Sequence, residues 1–264
     1  WIVYRMSPVP VIDSEACVGC SKCAKTCPVR CIRVTDGKAA LVKPDQCMKC
    51  GQCVSVCPTG AISLFDQVPE KVEVPETMAQ DFEALLKSRH SVRSYKTDEP
   101  LSRETLSELI NVTKACASAK NVRPVHYTVL SRPFLTEFAT AIAHVIPEGP
   151  MTPFAGAILK GHDVLFRGAP HVIVAHAKED VPFSPESDCV IAMSAMEMMA
   201  VAKGLGTVWV GFLTRMITLP GMSELAGIPE DHKVYCCLAV GHKAPAIPHI
   251  RPAPREDVPI TFHE

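Results

Sequence analysis

Hydrophobic and polar positions follow three different patterns along the 264 residues. Before residue 66 the apolar positions are sparse and recur: Val11 is answered by Leu41 and Ile32 by Ile62, each thirty residues on. One structural unit has therefore been copied once. From Asp66 to Thr77 the chain is charged, carries two prolines and has no helical period, which predicts an extended linker. Beyond it, helical spacing sets in. Thr77 is a candidate cap for a helix with Phe82, Leu85 and Leu86, and Ser102 for one with Leu106, Leu109 and Ile110 on one face. Strand-like runs follow at His126–Ser131, His171–Ala177, Thr207–Phe212 and Val234–Val240, with a helix near Glu186–Lys203 between the second and third. Their spacing is too irregular for a βαβ series and predicts a layered α+β domain. The expected organisation is a first domain over 1–66, a linker over 67–77 and a second domain over 78–264.

In the helix at 186–203, Met193, Met196, Met198 and Met199 spread around more than one face, so burial on most sides is expected. In a domain of this size a second copy of the chain is the economical way to cover such a helix, which predicts a homodimer.

Composition removes several classes of function. Lys and Arg number 27 against 28 Asp and Glu, so no charge excess points to nucleic acid, and 47% apolar residues exclude a disordered chain. The longest apolar stretch, Val190–Leu213, contains Glu197 and Lys203, which argues for a buried helix and strand over a membrane span. Trp1–Pro10 has no long apolar run and no cleavage site of the secretory type, so a cytoplasmic protein is expected.

The cysteines change the picture. Eight of the 13 form two runs, Cys17-x-x-Cys20-x-x-Cys23-x-x-x-Cys27-Pro28 and Cys47-x-x-Cys50-x-x-Cys53-x-x-x-Cys57-Pro58. Two-residue spacers let three thiolates converge on one face of an iron–sulfur cubane. A zinc ribbon would leave four thiols idle, and a disulfide framework would require secretion. Residues 8–66 resemble the bacterial two-cluster ferredoxins. In that family the cysteine before proline serves the other cluster. The resemblance thus implies two 4Fe–4S clusters, one held by Cys17, Cys20, Cys23 and Cys57, the second by Cys47, Cys50, Cys53 and Cys27. Cys31 stands where the second copy has Ala61 and is expected to be a small core residue.

Chemistry in the second domain comes from scattered signals. Arg89-His90-Ser91-Val92-Arg93 places two guanidiniums and a hydroxyl at a helix end, suited to a phosphate dianion. A polar loop, Ser118-Ala119-Lys120-Asn121-Val122-Arg123-Pro124, precedes a strand, Gly204-Leu205-Gly206-Thr207 follows the Met-rich helix, and Arg251-Pro252-Ala253-Pro254-Arg255 lies near the end. Gly204-x-Gly206 lacks the third glycine of a dinucleotide fingerprint and follows a helix instead of a strand. His126, His171 and His176 are acid candidates by residue type alone, and a structural role is expected for them. Cys189, Cys236 and Cys237 read as buried thiols, the last two on opposite faces of a strand, while Cys116 beside the polar loop is the one to test for reactivity.

Taken in order, these motifs over residues 78–262 resemble the FMN-dependent nitroreductase family, and the whole chain resembles members in which a ferredoxin unit is fused to that domain. The second motif departs from the commoner Pro-Ser-x-x-Asn-x-Gln-Pro-Trp, having Ala117, Arg123 and Val125 at its distinctive positions. The fold implied is α+β, an N-terminal two-cluster ferredoxin-like domain followed by a three-layer flavin-binding domain with a mixed central sheet. Carried over by position, Arg89, Ser91 and Arg255, helped by Arg251, would bind the FMN phosphate within a motif that includes His90. Arg93 would face the pyrimidine edge. Ser118 and Asn121 would reach the flavin across a homodimer interface, and Trp209, Val210 and Gly211 would lie beside the ring. Gly211 is expected to admit close approach because it lacks Cβ.

The function implied is an iron–sulfur flavoprotein oxidoreductase. Electrons would pass from ferredoxin or another low-potential donor through two 4Fe–4S clusters to FMN and on to a small-molecule acceptor: a nitro compound, a quinone or an activated alkene. No protein side chain would be catalytic, FMN N5 being the reactive centre. The alternative is a redox relay or sensor in which cluster and flavin state control partner binding without small-molecule turnover.

Overall fold

The computed structural model describes residues 9–65, 67, 73–244, 250, 252 and 257–263. The chain divides into two units, Trp1–Pro75 together with Ser118–Val122, and Glu76–Ala117 together with Arg123–Glu264. The second domain expected over 78–264 includes residues 118–122, which in the structure pack with the first unit.

In the first unit the order is β1 (Val11–Ile12), α1 (Lys22–Thr26), β2 (Ile32–Thr35), β3 (Lys38–Leu41), α2 (Gln52–Ser55) and β4 (Ile62–Ser63). The thirty-residue repeat is visible in the backbone itself. Left-handed conformations recur in pairs at Gly19 and Lys49, Ser21 and Gly51, and Arg30 and Gly60. Each pair reverses the chain at the same place relative to its cysteines. β2 and β3 form a hairpin around Asp36-Gly37, both residues at positive φ, as a tight primed turn requires. β1 pairs antiparallel with β4, with Ile12 opposite Ile62. The small core gathers Cys23, Ile32, Ala39, Cys53 and Ile62, so the matched Ile32 and Ile62 of the two copies share one interior.

The second unit runs α3 (Met78–Ser88), α4 (Arg103–Asn111), β5 (His126–Ser131), α5 (Phe134–Val145), α6 (Thr152–Leu159), β6 (His171–Lys178), α7 (Pro185–Ala202), β7 (Gly206–Trp209), α8 (Gly211–Met216), α9 (Met222–Leu225) and β8 (His232–Gly241). Its sheet has the order β5-β6-β8-β7. Alternate residues of β6 and β8 feed two separate cores. Val172, Val174, Cys237 and Ala239 pack with Leu135, Phe138 and Ile142 of α5 and Leu213 of α8. Ile173, Ala175, Cys236 and Leu238 pack with Leu109 of α4 and Met193 and Met196 of α7. Helices thus cover both faces in three layers, which is why His171–Ala177 is buried at every position and reads as an almost unbroken apolar run.

Several expectations change in detail. The four strands pair antiparallel throughout, and among the described residues the sheet is mixed only through an isolated parallel bridge between Ser91 and Thr207. Ser102 caps α4, its hydroxyl accepting from the Thr105 N–H at 3.1 Å, whereas Thr77 takes helical angles and makes no side-chain cap. The run expected as a strand to Phe212 ends at Trp209, because α8 begins at Gly211. α5 and α6 had no counterpart in the pattern reading. α7 buries one stripe only, from Asp188 and Cys189 through Met193, Met196 and Glu197 to Ala200, while Val190 and Ile191 are exposed in the single chain. Among the described residues no helix is long and apolar enough to cross a membrane.

Candidate functional site

The cysteine runs close around two cavities in the first unit. One is lined by Cys17, Cys20, Cys23 and Cys57, the other by Cys27, Cys47, Cys50 and Cys53. In each, three thiols come from one copy of the repeat and the fourth from the other, because β1–β4 pairing brings the end of one copy against the start of the other. Backbone amides point at the sulfurs. Ala39 N–H donates to Cys17 Sγ at 3.4 Å, Cys31 N–H to Cys27 Sγ at 3.2 Å and Lys49 N–H to Cys47 Sγ at 3.4 Å. The amides of Ala39 and Gly19, helped by the Lys38 charge, hold the Cys17 thiol below its usual range. Burial pushes Cys57 up, but bonds from Thr59, Ala61 and Gly60 outweigh it and the net shift is down. Cys53 is pushed up to about 11 by burial. Soft sulfur donors in fours, lined by amide dipoles that favour the thiolate, fit a 4Fe–4S cluster. Cys31 is buried as expected for a core residue, yet its thiol also lines the second cavity beside Cys27 and Cys47, and burial raises it to about 11.

In the second unit, the segment after α3 is laid along β7. Val92 N–H donates to the Thr207 carbonyl at 2.8 Å, and Ser91 bridges Thr207. The approach is close enough that a Cβ on Gly206 would fall 2.9 Å from Val92 Cγ1. Glycine is required here by sterics, whereas nothing lies within 4 Å of where a Cβ of Gly211 would sit. The close approach within the chain is at Gly206, and the space beside Gly211 is open.

Glu197, in the middle of α7, joins these elements. Its Oε1 accepts from Arg89 Nη1 at 3.4 Å and from Thr207 Oγ1 at 3.2 Å, and its Oε2 accepts from Trp209 Nε1 at 2.9 Å. Arg89, Ser91 and Trp209 are thus brought together, with Val210 and Gly211 following directly. Val210 is anchored by its N–H to the Cys237 carbonyl at 2.9 Å. Arg93 is exposed, its Nη1 3.4 Å from the Ser91 carbonyl. His90 Nδ1 meets the Ser88 carbonyl at 2.9 Å, while its Nε2 is buried with no partner. Two guanidiniums, a hydroxyl and an orphaned imidazole nitrogen on five consecutive residues suit an anionic ligand with several acceptor atoms, and the phosphate of FMN fits that donor set.

Ser118 and Asn121 belong to the first unit, where Asn121 Nδ2 donates to the carbonyls of Met48 at 3.1 Å and Lys49 at 2.9 Å, between Cys47 and Cys50. Arg251 and Arg255 lie outside the described residues. His171 is structural: its Nε2 accepts from the Leu101 N–H at 2.9 Å and its Nδ1 meets Ser131 Oγ at 2.7 Å. His176 and His126 form a cluster with His232, with His176 Nδ1 2.8 Å from His232 Nδ1. Cys116 is shifted up by burial, which outweighs the lowering effect of the Arg123 charge. Pattern reading passed over Glu197 and the steric role of Gly206. A signal for the first was available, since an acid inside the Met/Ala-rich Val190–Leu213 stretch must find donors or carry an unpaired buried charge.

Comparison with known proteins bears on this geometry. The family model described as the nitroreductase family matches residues 86–242, more than half of the chain. The chain belongs to the nitroreductase family. A second model, described as a 4Fe-4S dicluster domain, matches residues 10–64. This nitroreductase-family chain is 27% identical over 161 residues, 60% of its length and 83% of the relative's, to an Archaeoglobus fulgidus protein whose assigned name is NADH dehydrogenase/NAD(P)H nitroreductase. A Methanothermobacter thermautotrophicus protein with the same assigned name is 26% identical, over 60% of this chain and 75% of the relative. Among solved structures, a nitroreductase with bound FMN from Bacteroides fragilis superposes with a TM-score of 0.60 at 20% identity, covering 72% of this chain and 100% of the other. One from Desulfitobacterium hafniense, also with bound FMN, gives 0.55 at 20% identity, with 72% and 100% covered. The fold of the second unit is that of nitroreductases. The protein is a nitroreductase-family oxidoreductase that carries a 4Fe-4S domain.

Proposed function

We propose that the protein is an FMN-dependent oxidoreductase in which electrons from a low-potential donor enter through two 4Fe–4S clusters and leave from the flavin to a small organic acceptor. The observation that carries this reading is the gathering of Cys17, Cys20, Cys23 and Cys57 around one cavity and of Cys27, Cys47, Cys50 and Cys53, with Cys31 beside them, around a second, on the same chain as a nitroreductase fold. Cys17, Cys20, Cys23 and Cys57 would hold one cluster, and Cys27, Cys47, Cys50 and Cys53 the other. Arg89, Ser91, Arg251 and Arg255 would hold the FMN phosphate, Arg93 the pyrimidine edge, and Trp209 to Gly211 the ring.

When bound, FMN can collect single electrons from clusters and pass on a pair, as a hydride from N5. The chain's own part is to bind and orient it. Arg93 would set positive charge where negative charge develops on reduction, and Arg89 would face the phosphate. A homodimer with the flavin at the subunit interface remains part of the proposal. Val190 and Ile191, exposed on α7, and Phe82 and Leu86, exposed on α3, support it as apolar surface for a second copy.

The names of the two relatives bring NAD(P)H to this chain as a competing donor. Anaerobic reconstitution followed by iron and flavin analysis should find about eight iron and one FMN per chain. Stopped-flow mixing should then show reduced ferredoxin reducing clusters before flavin, and nitroaromatics, quinones or activated alkenes reoxidising it. Flavin reduction by NAD(P)H at the same rate in a protein stripped of iron would refute cluster input. Reoxidation by no small molecule would favour the relay or sensor.

A further inference from the structure

Glu197 has no assigned part in binding or chemistry, yet it is the buried charge about which the candidate flavin site is arranged. The residue is 5% exposed and lies in the buried stripe of α7 between Met196 and Ala200, a stripe whose other acid, Asp188, is about two and a half turns away. A carboxylate in such a place is costly unless every oxygen is satisfied, and a well-packed apolar residue would serve stability as well or better. What the carboxylate does that a methionine could not is accept three hydrogen bonds from three side chains. Oε1 takes Arg89, the residue that ends α3, and Thr207 of β7. Oε2 takes the Trp209 indole, two residues further along the same face of β7. Arg89 stands at the phosphate end of the candidate site and Trp209 at the ring end.

We propose that Glu197 is the positioning residue of the flavin site, a buried carboxylate that holds the Arg89 guanidinium and the Trp209 indole in one fixed relation. This rests on the FMN reading above. The three bonds explain why an acid is found here. All three partners only donate in these contacts, so an acceptor with two oxygens is needed. Glutamine, of nearly the same volume, would turn one acceptor into an NH2 group facing an N–H or O–H donor. Either the arginine end or the tryptophan end would then lose its hold.

The test is a double-mutant cycle on FMN affinity, measured by fluorescence titration of the full chain with its clusters in place and its flavin removed. Glu197→Gln should weaken FMN binding about tenfold or more in the parent, but less than about threefold in an Arg89→Ala, Trp209→Phe background, because it acts through those two side chains. The same fold loss in both backgrounds, or affinity within about twofold of the parent, would overturn the proposal. A parent chain that takes up no FMN would overturn the flavin reading and this inference with it. Should Glu197→Gln not fold, Arg89→Lys and Trp209→Phe are combined in the flavin-free protein. Glu197 is the acceptor they share, so their effects on the melting temperature should be non-additive, and additivity would refute the coupling.

Discussion

Gly206→Ala adds one methyl group at the point where the Arg89–Arg93 segment meets the edge of the sheet. Gly206 does not need glycine for its backbone angles, so the whole effect is steric. The new Cβ would stand 2.9 and 3.0 Å from the two methyls of Val92 and 2.8 Å from Lys243 Cγ. Carbon atoms attract best at about 3.5–4.0 Å, so both contacts lie well up the repulsive wall. Lys243 can swing aside. Val92 cannot, being 2% exposed and tied through its N–H to Thr207 at 2.8 Å. Overpacking of this kind costs about 1–3 kcal/mol. In a domain of this size that is a melting temperature lower by roughly 3–10 °C. Relief comes by pushing Ser91 and Val92 off β7, which carries Arg89 away from Glu197 and should weaken FMN binding about tenfold as well. Scanning calorimetry and flavin titration of Gly206→Ala, Val92→Ala and the double variant check this. The double variant should recover stability relative to the sum of the singles, since Val92→Ala removes both opposing methyls. A Gly206→Ala protein that melts within about a degree of the parent, or a double variant with strictly additive losses, would show that the close approach does not set the geometry.

His176 is held from its ordinary 6.5 down to about 4, first by burial and then by the His232 and His126 rings. The unfolded chain therefore takes up a proton before the folded one, stability is flat above pH 6.5 and falls as the pH drops from there toward 4. Between about pH 7.5 and 5.5 the loss is about 1 kcal/mol. The parent should lose about 2–4 °C more than His176→Gln over that range, and equal pH slopes would exclude His176 as the source. Cys17→Ala and Cys57→Ala should abolish the same EPR signal and Cys27→Ala the other, whereas Cys31→Ala should leave about eight iron per chain; distinct signals lost by Cys17→Ala and Cys57→Ala would contradict the crossed ligand sets. Asp163 pairs with Arg132 and accepts the amides of Phe166 and Gly168, each at 2.8 Å, so Asp163→Ala should lower stability by about 2 kcal/mol, and an unchanged melting temperature would deny that these bonds hold the loop.

Local chemistry was legible in the sequence wherever it depends on residues close together in the chain. The Cys-x-x-Cys-x-x-Cys runs and the thirty-residue repeat each state their geometry through spacing alone. The crossed thiol sets were legible through resemblance, because duplication ties each Cys-Pro to the opposite copy. β6 begins where the pattern put it, since a strand covered on both faces is continuously apolar, and the half-buried edge strand β5 begins at His126 as its β-branched and aromatic residues suggest. Other features depend on partners far apart in sequence, and no periodicity records them. Glu197 becomes more than an odd acid in an apolar helix only when α7 is packed beneath β7 and the end of α3. Gly206 becomes indispensable only when Val92, more than a hundred residues earlier, is laid against it. Asn121, a candidate for the flavin by position in its motif, also donates its amide to the carbonyls of Met48 and Lys49, between two cluster cysteines. Sequence determined which groups this protein has available for iron, phosphate and flavin; tertiary structure decided which of them meet, because hydrogen bonds and steric contacts act over a few ångströms and take no account of separation along the chain.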